Sequence, residues 1–495
     1  MDTRRTFLRN SCLAAAALGA PSVLAAAVDR RDRPDVLFIM TDQQFADAMS
    51  CAMGAKWLKT PAMDSLADSG TLFSRAYSPN PLCMPARNSI FTGRYPHETG
   101  VTMNGRAKID TEEFLNMGNY FLRAGYETAY FGKWHLCFDS KNSKAHGFQI
   151  AKCLYGNGHD GEVGDLSVAY LASQKANQPK PLMTVVSLSN PHDVCQLSRF
   201  QKLPSGPVGK PPKPDKCPPV PPNLAPPINE TDTMTTLRKG YQGKGSKFPV
   251  GDFTDDQWRQ LRWGYYRLIE KVDAEIAKVL AALTNSGRDE KTVIIFTSDH
   301  GDCAGAHRFN QKTVFYDEST RVPLIIRRKG ETAKRVCDKL INTGIDILPT
   351  MLDYAGIAIP KKLPGRSVRP IVMGKPPADW PDHLVIQNHL SQTVAVDGIR
   401  AAAQGRMVRT EQYKYCVYDH GTQRESLVDM KNDPLETKNI ATDPANKKII
   451  ETHRELLLAF AAKHKDPLAR QMLAGDMPAI PFKHAKQKIR KKKKK

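Results

Sequence analysis

Four short runs of apolar, often β-branched residues constrain the fold of this chain more than any other feature of its sequence. Each run ends in a group of polar or charged residues. The runs and the polar groups that follow them are 36–40 with 42–43, 128–131 with 132–135, 183–188 with 190–193, and 292–296 with 297–302. Strands buried on both faces of a parallel sheet have this nearly continuous apolar character. The runs therefore predict an α/β fold built on a parallel sheet.

Helical segments between the runs favour the same fold. The sequence predicts helices at 61–69 and 111–124, a long helix at 255–285 and a closing helix near 446–463. In open α/β sheets, ligands bind at the carboxyl ends of the strands. Because all four polar groups follow their strands, we expect them to lie along one edge of the sheet and to form one site.

Two aspartates among these polar groups suggest a metal ion. Asp42 and Asp299 each follow a predicted strand, with Gln43 and His300 beside them. Carboxylate and amide oxygens suit a hard divalent cation such as Ca²⁺ or Mg²⁺, whereas an imidazole is a less usual ligand for Ca²⁺. Each aspartate alone could instead cap a following helix. Their joint occurrence favours the metal site.

A cysteine and an arginine four residues apart suggest a nucleophile in a positive environment. Pro85 suits the first turn of a helix, which would put Cys83 at the helix N-terminus, where anions and thiolates are favoured. Arg87 would follow on roughly the same face. The alternative is a buried structural cysteine near a surface arginine.

Three further polar residues could complete the site. Lys133 and His135 would point to the same side of an extended chain, with Trp134 facing away, and would supply a cation and a titratable imidazole. His192 follows a proline after a predicted strand. Taken singly, such a histidine is more often structural, and Lys312 would pass as a surface lysine.

The N-terminus is typical of an export signal. Arg4 and Arg5 precede an apolar run at 12–23 and then three alanines at 25–27. This pattern predicts a twin-arginine signal peptide, residues 1–27, that is recognised by the twin-arginine export machinery. We therefore expect a periplasmic or secreted protein. No stretch of the sequence is apolar for long enough to span a bilayer, so no transmembrane segment is expected.

The 495 residues divide by composition into a large catalytic domain at 28–375, a smaller α+β subdomain at 376–475 and a basic, disordered tail at 476–495. A proline-rich stretch at 203–227 predicts a surface excursion. The net charge of +21 stays positive without the tail and could steer an anionic substrate. No interleaved aromatics support nucleic-acid binding. The irregularly spaced cysteines are expected to be mostly buried thiols.

Taken in order, the motifs resemble those of the type I, formylglycine-dependent sulfatases of the alkaline-phosphatase superfamily. The resemblance covers about residues 34–440, and its most specific part is Cys-x-Pro-x-Arg followed by Thr-Gly-Arg. The other matching motifs are Asp-Val-Leu-Phe-Ile-Met-Thr-Asp-Gln, Gly-Lys-Trp-His, Asn-Pro-His-Asp, Thr-Ser-Asp-His-Gly-Asp, and Lys312 before Arg-Val-Pro. The resemblance implies a large, mixed, mainly parallel sheet flanked by helices, with a smaller C-terminal α+β subdomain.

The resemblance also implies a sulfatase that hydrolyses sulfate esters, expected here on sulfated carbohydrates. In that family, a formylglycine-generating enzyme oxidises the motif cysteine, and the hydrated aldehyde attacks the sulfur. Cys83 would become this nucleophile and Arg87 would hold it. The metal, Ca²⁺ rather than Mg²⁺, would be held with residue 83 by Asp42, Gln43, Asp299 and His300.

The remaining roles carry over in the same way. Lys133 and Lys312 would bind sulfate oxygens, His135 would assist the modified residue, and His192 would protonate the leaving oxygen. Ala86 stands where the family often has serine or threonine. Gln43 and His300 replace a common aspartate and a frequent asparagine, variations that also occur within the family.

Two alternatives remain open at this point. Phosphodiesterases and phosphonate monoester hydrolases share the scaffold and the cysteine motif. A glycan-binding protein in which Cys83 is never modified would also retain the basic surface.

Overall fold

The computed structural model describes residues 33–105, 107–243, 246, 250–390, 394–399 and 402–473. The predicted signal peptide and basic tail lie outside these residues. The strands are β1 (Asp35–Asp42), β2 (Thr71–Phe73), β3 (Ala76–Tyr77), β4 (Glu127–Lys133), β5 (Ile150–Leu154), β6 (Leu182–Pro191), β7 (Thr292–Ser298), β8 (Leu324–Arg328), β9 (Arg335–Cys337), β10 (Ile341–Asn342), β11 (His383–His389), β12 (Gln404–Thr410), β13 (Tyr413–Tyr418) and β14 (Glu425–Asp429).

The helices alternate with the strands over most of the chain. They are α1 (Ser50–Met53), α2 (Pro61–Asp68), α3 (Cys83–Thr92), α4 (Pro96–Thr99), α5 (Met117–Arg123), α6 (Ser143–His146), α7 (Asp160–Ser173), α8 (Val194–Leu197), α9 (Asp232–Gln242), α10 (Asp255–Asn285), α11 (Asp317–Thr320), α12 (Thr343–Tyr354), α13 (Arg369–Val372), α14 (Lys447–His464) and α15 (Pro467–Leu473).

The central sheet has the order β5-β4-β6-β1-β7-β8-β2-β9 within the described residues. The strands from β5 to β7 are parallel, β8 is antiparallel to β7 and β2, and β9 is parallel to β2. The four predicted strands are β4, β6, β1 and β7, which are neighbours in this sheet. The prediction of a mixed, mainly parallel sheet is therefore confirmed, and the four polar groups follow strands that end at one edge.

Both faces of the central sheet are covered, as its apolar strands require. On β1, Leu37 and Ile39 pack into one hydrophobic layer, whose helices include α2, α7 and α10. Val36, Phe38 and Met40 pack into the opposite layer, with α3, α5 and α12. The side chains of a strand alternate between faces, so an uninterrupted apolar run serves both layers.

The C-terminal part forms a separate antiparallel sheet in the order β11-β12-β13-β14. Val408 and Val417 on this sheet share a hydrophobic cluster with Leu457 and Phe460 of α14. A C-terminal subdomain of strands and helices is thereby confirmed. The predicted closing helix is α14.

Two expectations need correction. The helix predicted at 111–124 begins only at Met117, because Asn116 caps it by accepting a hydrogen bond from the backbone N–H of Gly118. The cysteines are also less buried than expected. All nine described cysteines are free thiols, but Cys51 is exposed, and Cys137, Cys153 and Cys337 are half-buried. Among the described residues, no helix combines the length and apolar character needed to cross a membrane.

Candidate active site

Cys83 is the first residue of α3, and Pro85 lies in its first turn, as the sequence predicts. Every residue of this helix is buried, and Gly93 ends it in the left-handed conformation with φ of 65°. A buried helix must direct the unpaired N–H groups of its first turn at a partner. The N-terminus of α3 therefore contributes a positive end to the site at the carboxyl edge of the sheet.

Arg87 holds the two strand-end aspartates together. Its Nε donates to Asp299 Oδ2 at 2.7 Å, and a terminal nitrogen donates to Asp42 Oδ2 at 2.8 Å. The other terminal nitrogen donates to Ser187 Oγ at 2.8 Å and to the Lys133 carbonyl oxygen at 3.2 Å. The guanidinium is fully buried and occupied by these contacts. Arg87 thus fixes β1, β4, β6 and the segment after β7 to one another.

The sulfur of Cys83 lies at the centre of a charged cluster. It is 3.1 Å from His300 Nε2, 3.2 Å from Lys312 Nζ and 3.7 Å from Asp42 Oδ1. Burial and the Asp42 carboxylate oppose a thiolate at this position. The positive charges of Lys312, His300 and Lys133 outweigh them, and the pKa of Cys83 lies well below its usual value.

Four donor atoms converge as a metal site requires. One ligand atom from each of Asp42, Cys83, Asp299 and His300 lies within 4.8 Å of the other three, and all four residues are buried. The Nδ1 of His300 is 2.9 Å from the Gly301 carbonyl oxygen, which only accepts. When the ring is neutral, as a metal ligand must be, its proton is therefore on Nδ1, and Nε2 keeps its lone pair towards the cluster.

The two aspartates have pKa values shifted in opposite directions. Burial opposes ionisation of Asp42, but the surrounding cations, with Lys133 foremost, hold its pKa well below the usual range. Burial and the charge of Asp42 raise the pKa of Asp299 to about 6. A divalent cation would offset this repulsion, and the donor set of two carboxylates, an imidazole and residue 83 fits one.

Gln43, the remaining predicted ligand, makes hydrogen bonds of its own beside the cluster. Its Oε1 accepts from Lys312 Nζ at 2.6 Å, and its Nε2 donates to Asp302 Oδ2 at 2.6 Å. Its backbone is left-handed, with φ of 73°, and its N–H donates to Asp299 Oδ1 at 3.2 Å. The side chain of Gln43 therefore orients Lys312 beside the four donor atoms.

Lys133 and His135 follow β4 in different conformations. Lys133 ends the strand, and its Nζ is 2.7 Å from Asp42 Oδ2. Gly132, with φ of 109°, is needed here because a Cβ would lie 2.0 Å from the Ser187 carbonyl oxygen. The extended chain that the sequence pattern assumed stops at Lys133, since His135 has φ of 47°. Its Nδ1 is buried without a hydrogen-bond partner among the described residues.

His192 lies beyond the end of β6, next to this cluster. Burial and the charges of Lys133 and Lys312 lower its pKa to about 3, so the ring is neutral at pH 7. Its Nδ1 is 2.9 Å from Asn157 Nδ2.

Lys312 is buried rather than on the surface, and the C-terminal subdomain holds its loop. Asn388 of β11 donates to the Thr313 carbonyl oxygen, and Tyr241 lies 3.4 Å from Thr313 Oγ1. Lys414 of β13 donates to the Phe315 carbonyl oxygen at 3.1 Å.

The helix-cap alternative for the two aspartates does not hold, because neither precedes a helix and both bind Arg87. Sequence reasoning missed three contacts that complete the site: Ser187, Asp302 and Asn157. Asp302 lies inside a quoted motif, so it could have been found. Ser187 and Asn157 carry no signal that one sequence would reveal.

Comparison with known proteins agrees with this geometry. The family model described as Sulfatase matches residues 34–357, and the model described as N-sulphoglucosamine sulphohydrolase, C-terminal, matches residues 305–463. A delta 4,5-hexuronate-2-O-sulfatase of Bacteroides thetaiotaomicron is 30% identical over 469 residues, which cover 90% of this chain and 92% of the relative.

Solved structures are similar over nearly the whole chain. The structure of a 2-O GAG sulfatase has a TM-score of 0.74 at 25% identity and covers 92% of this chain and 98% of its own. The phosphonate monoester hydrolase of Agrobacterium radiobacter has a TM-score of 0.71 at 24% identity, with coverages of 87% and 96%. The second likeness concerns the fold alone. Family model, close relative and buried cluster together place this chain in the sulfatase family of the alkaline-phosphatase superfamily.

Proposed function

We propose that this protein is an exported sulfatase that removes sulfate from carbohydrates, using a formylglycine made from Cys83 and a bound Ca²⁺. The observation that carries the proposal is the convergence on Cys83 of two carboxylates, one imidazole and one lysine, all buried. Formylglycine would supply an oxygen nucleophile that cysteine lacks, and Ca²⁺, which Asp42, Gln43, Asp299, His300 and residue 83 would hold, would supply positive charge at the transferred sulfate. The side-chain oxygen of Gln43 also accepts a hydrogen bond from Lys312.

The two lysines are the proposed binding groups for the sulfate. Lys133 and Lys312 flank the cluster, and their ammonium groups are held by Asp42 and by Gln43 respectively. Preorganised cations cost little reorganisation when charge develops in the transition state. Arg87 is occupied by the two aspartates, so its proposed role is to keep the ligands and the nucleophile in place.

The two histidines are proposed to act on either side of the sulfur. His192 serves as the donor to the leaving oxygen, and His135 assists the modified residue.

The proposed substrates are sulfated carbohydrates because of the relatives and the charge of the chain. The related Bacteroides protein is a hexuronate-2-O-sulfatase by name, and a similar solved structure is a 2-O GAG sulfatase. The positive chain would attract such polyanions. We further propose that residues 1–27 direct export to the periplasm or beyond, and that a formylglycine-generating enzyme matures the protein. The boundaries at 375 and 475 remain proposals for the limits of the two domains.

A phosphonate monoester hydrolase is the second candidate, supported by the shared fold. Purified protein should be assayed on an aryl sulfate, an aryl phosphodiester and an aryl phosphonate. We expect the sulfate to be turned over with the highest kcat/KM. Preference for either phosphorus substrate would reverse the assignment.

The modification is tested by mass spectrometry of the peptide that contains residue 83. We expect a mass below that of the cysteine peptide and reactivity towards an aldehyde probe. Protein produced without a formylglycine-generating enzyme is the control. An unmodified, inactive protein that still binds sulfated glycans would instead support the glycan-binding alternative.

A further inference from the structure

A short loop between β5 and α7 contacts the segment that carries His192 at two points. Asn157 Nδ2 lies 2.9 Å from His192 Nδ1. Three residues later, Asp160 accepts hydrogen bonds from the backbone N–H groups of Ser189 at 2.6 Å and Asn190 at 3.0 Å. One stretch of four residues therefore holds both the ring of His192 and the backbone that leads to it.

The chemistry of the Asn157 contact determines where the ring carries its proton. An amide nitrogen donates and has no lone pair for accepting, so Nδ1 of His192 must be the acceptor. In a neutral imidazole, only one nitrogen is protonated. The proton therefore lies on Nε2, the nitrogen on the side away from Asn157.

The position of this loop is tightly determined by its surroundings. Gly158 has φ of 93°, and a Cβ there would lie 2.6 Å from the Pro204 carbonyl oxygen. Asp160 is 5% exposed and also accepts from the side-chain amide of Asn190 at 2.7 Å. Asn157 thus reaches His192 from a loop that has little freedom to move.

We propose that Asn157 is a positioning residue of the reaction, which holds the neutral ring of His192 with its proton on Nε2, so that Nε2–H donates a hydrogen bond to the leaving oxygen of the sulfate ester. The inference rests on the proposed function of His192. As the S–O bond lengthens, negative charge grows on the leaving oxygen, and a hydrogen bond from Nε2–H stabilises it. The benefit is greatest for alcohols that are poor leaving groups, as sugar hydroxyls are.

The proton position can be measured without any assay of activity. ¹⁵N-histidine NMR of the wild type, with His192→Gln to assign the signal, should show Nε2 protonated and Nδ1 unprotonated. Asn157→Asp is nearly isosteric but accepts instead of donating, so it should move the proton to Nδ1. A wild type protonated at Nδ1, or an unchanged proton position in Asn157→Asp, would overturn the proposal.

The consequence for catalysis is tested with a series of aryl sulfates of decreasing leaving-group ability. Asn157→Ala should lower kcat/KM by about tenfold on the poorest leaving groups and by less than about twofold on 4-nitrophenyl sulfate. His159→Ala, in the same loop but in contact with Glu162, is the matched control and should leave the series unchanged. Equal losses across the series would show a merely structural role and contradict the inference.

The two readouts separate this inference from the proposed function. If the wild type hydrolyses no sulfate ester while the NMR pattern is as expected, the proposed function is wrong and the catalytic role of Asn157 falls with it. If sulfate esters are hydrolysed and the leaving-group dependence is unaltered in Asn157→Ala, only the positioning role is wrong.

Discussion

Two buried clusters of charged side chains lie at opposite ends of the segment 312–317, and they differ in how completely their charges are paired. The first, called the catalytic cluster after its proposed role, comprises Asp42, Cys83, Arg87, Lys133, Asp299, His300 and Lys312. The seam cluster lies between the main sheet and the C-terminal sheet and comprises Glu230, Arg238, Tyr316, Asp317, Lys414 and Glu436.

In the seam cluster, the charged side chains pair with one another. Lys414 Nζ donates to Asp317 Oδ1 at 2.5 Å and to Glu436 Oε1 at 2.6 Å. Glu230 accepts from Arg238 and, at 2.8 Å, from the hydroxyl of Tyr316. Each of these charged groups meets a partner of opposite charge, and the cluster joins the two parts of the protein.

In the catalytic cluster, one lysine has no carboxylate partner among the described residues and can bind an anionic ligand. Three permanent cations, Arg87, Lys133 and Lys312, accompany two carboxylates and the sulfur of Cys83, whose pKa they hold well below its usual value. Lys312 contacts the amide oxygen of Gln43 and the sulfur of Cys83 instead of a carboxylate. Asp42, Cys83, Asp299 and His300 also bring one donor atom each to within 4.8 Å of one another, an arrangement that the seam cluster does not share among the described residues. Both clusters bury their charges, so burial alone does not tell them apart. They differ in whether each charged side chain has a partner of opposite charge, and a side chain without one can bind a ligand.

The largest expected effect concerns the seam. Lys414→Ala leaves Glu436 buried without its cation, takes one of two cations from Asp317, which keeps Arg321, and should lower the free energy of unfolding by about 3–5 kcal/mol. Denaturant titration measures this loss, and kcat per folded molecule should stay close to that of the wild type. Lys447→Ala, at an exposed lysine 4.0 Å from Glu451, is the control and should change stability by less than about 0.5 kcal/mol. A Lys414→Ala variant as stable as the wild type would show that the charge pairs of the seam cluster do not stabilise the fold, and it would contradict the comparison.

Lys312→Ala should lower activity more than it lowers stability, the reverse of Lys414→Ala. Loss of one preorganised cation at the sulfate should lower kcat by roughly 10²–10³-fold. Stability should fall by less than in Lys414→Ala, because Lys312 contacts an amide oxygen and a sulfur and leaves no carboxylate without its cation. Steady-state kinetics and thermal unfolding on the same preparation test both statements. Unfolding of the variant would show that Lys312 is a structural partner like Lys414.

Metal removal should act on the catalytic cluster alone. A cation present at 100 times its dissociation constant stabilises the folded state by about 2.7 kcal/mol. Dialysis against a chelator should therefore lower Tm and abolish sulfate hydrolysis, and added Ca²⁺ should restore both. Asp299→Asn should lose the response of Tm to chelator, whereas Glu436→Gln should keep it. A chelator-insensitive wild type would contradict the proposed metal site.

The smallest expected effect is a change in the pH dependence of stability. Burial, together with the charges of Asp317 and Glu318, raises the pKa of Glu436 to about 7, above the value of an unfolded glutamate. The folded state then binds the extra proton, so this group makes stability fall as pH rises from about 4.5 to about 7, by less than about 1.4 kcal/mol per pH unit.

Glu436→Gln keeps an acceptor for Lys414 and should flatten that slope. Unfolding free energies measured at a series of pH values from 4.5 to 8 provide the test. A steeper fall in the variant would mean that Glu436 is ionised throughout and that its pairing with Lys414 dominates.

Much of the framework could be predicted from the sequence because the signals are local. The four apolar runs identify β1, β4, β6 and β7, and the pattern of α10 predicts its bounds at Asp255 and Asn285. Helix α5 was predicted too long, since apolar spacing at 111–116 does not reveal that Asn116 caps the helix. Likewise, the placement of Cys83 at a helix N-terminus follows from Pro85 alone.

The contacts of the site were predictable only in part. Asp42, Cys83, Asp299, His300 and Lys312 belong to motifs, and the structure brings them together. The side chain of Gln43 lies between Lys312 and Asp302, a place that no spacing rule predicts. Asn157 reaches His192 across 35 residues of sequence, through a loop whose only local signal is two glycines.

The sequence by itself determined which residues carry chemistry, and that their strands run parallel with all polar groups at one edge. A buried strand must be apolar along its length, so the residue at which its apolar run ends can be identified from the sequence. Only the tertiary structure decided which charges are paired and which remain open to a ligand. Such contacts join residues far apart in the chain, as Gln43 and Lys312 are at 269 positions, and they depend on distances of a few ångströms that no local pattern encodes.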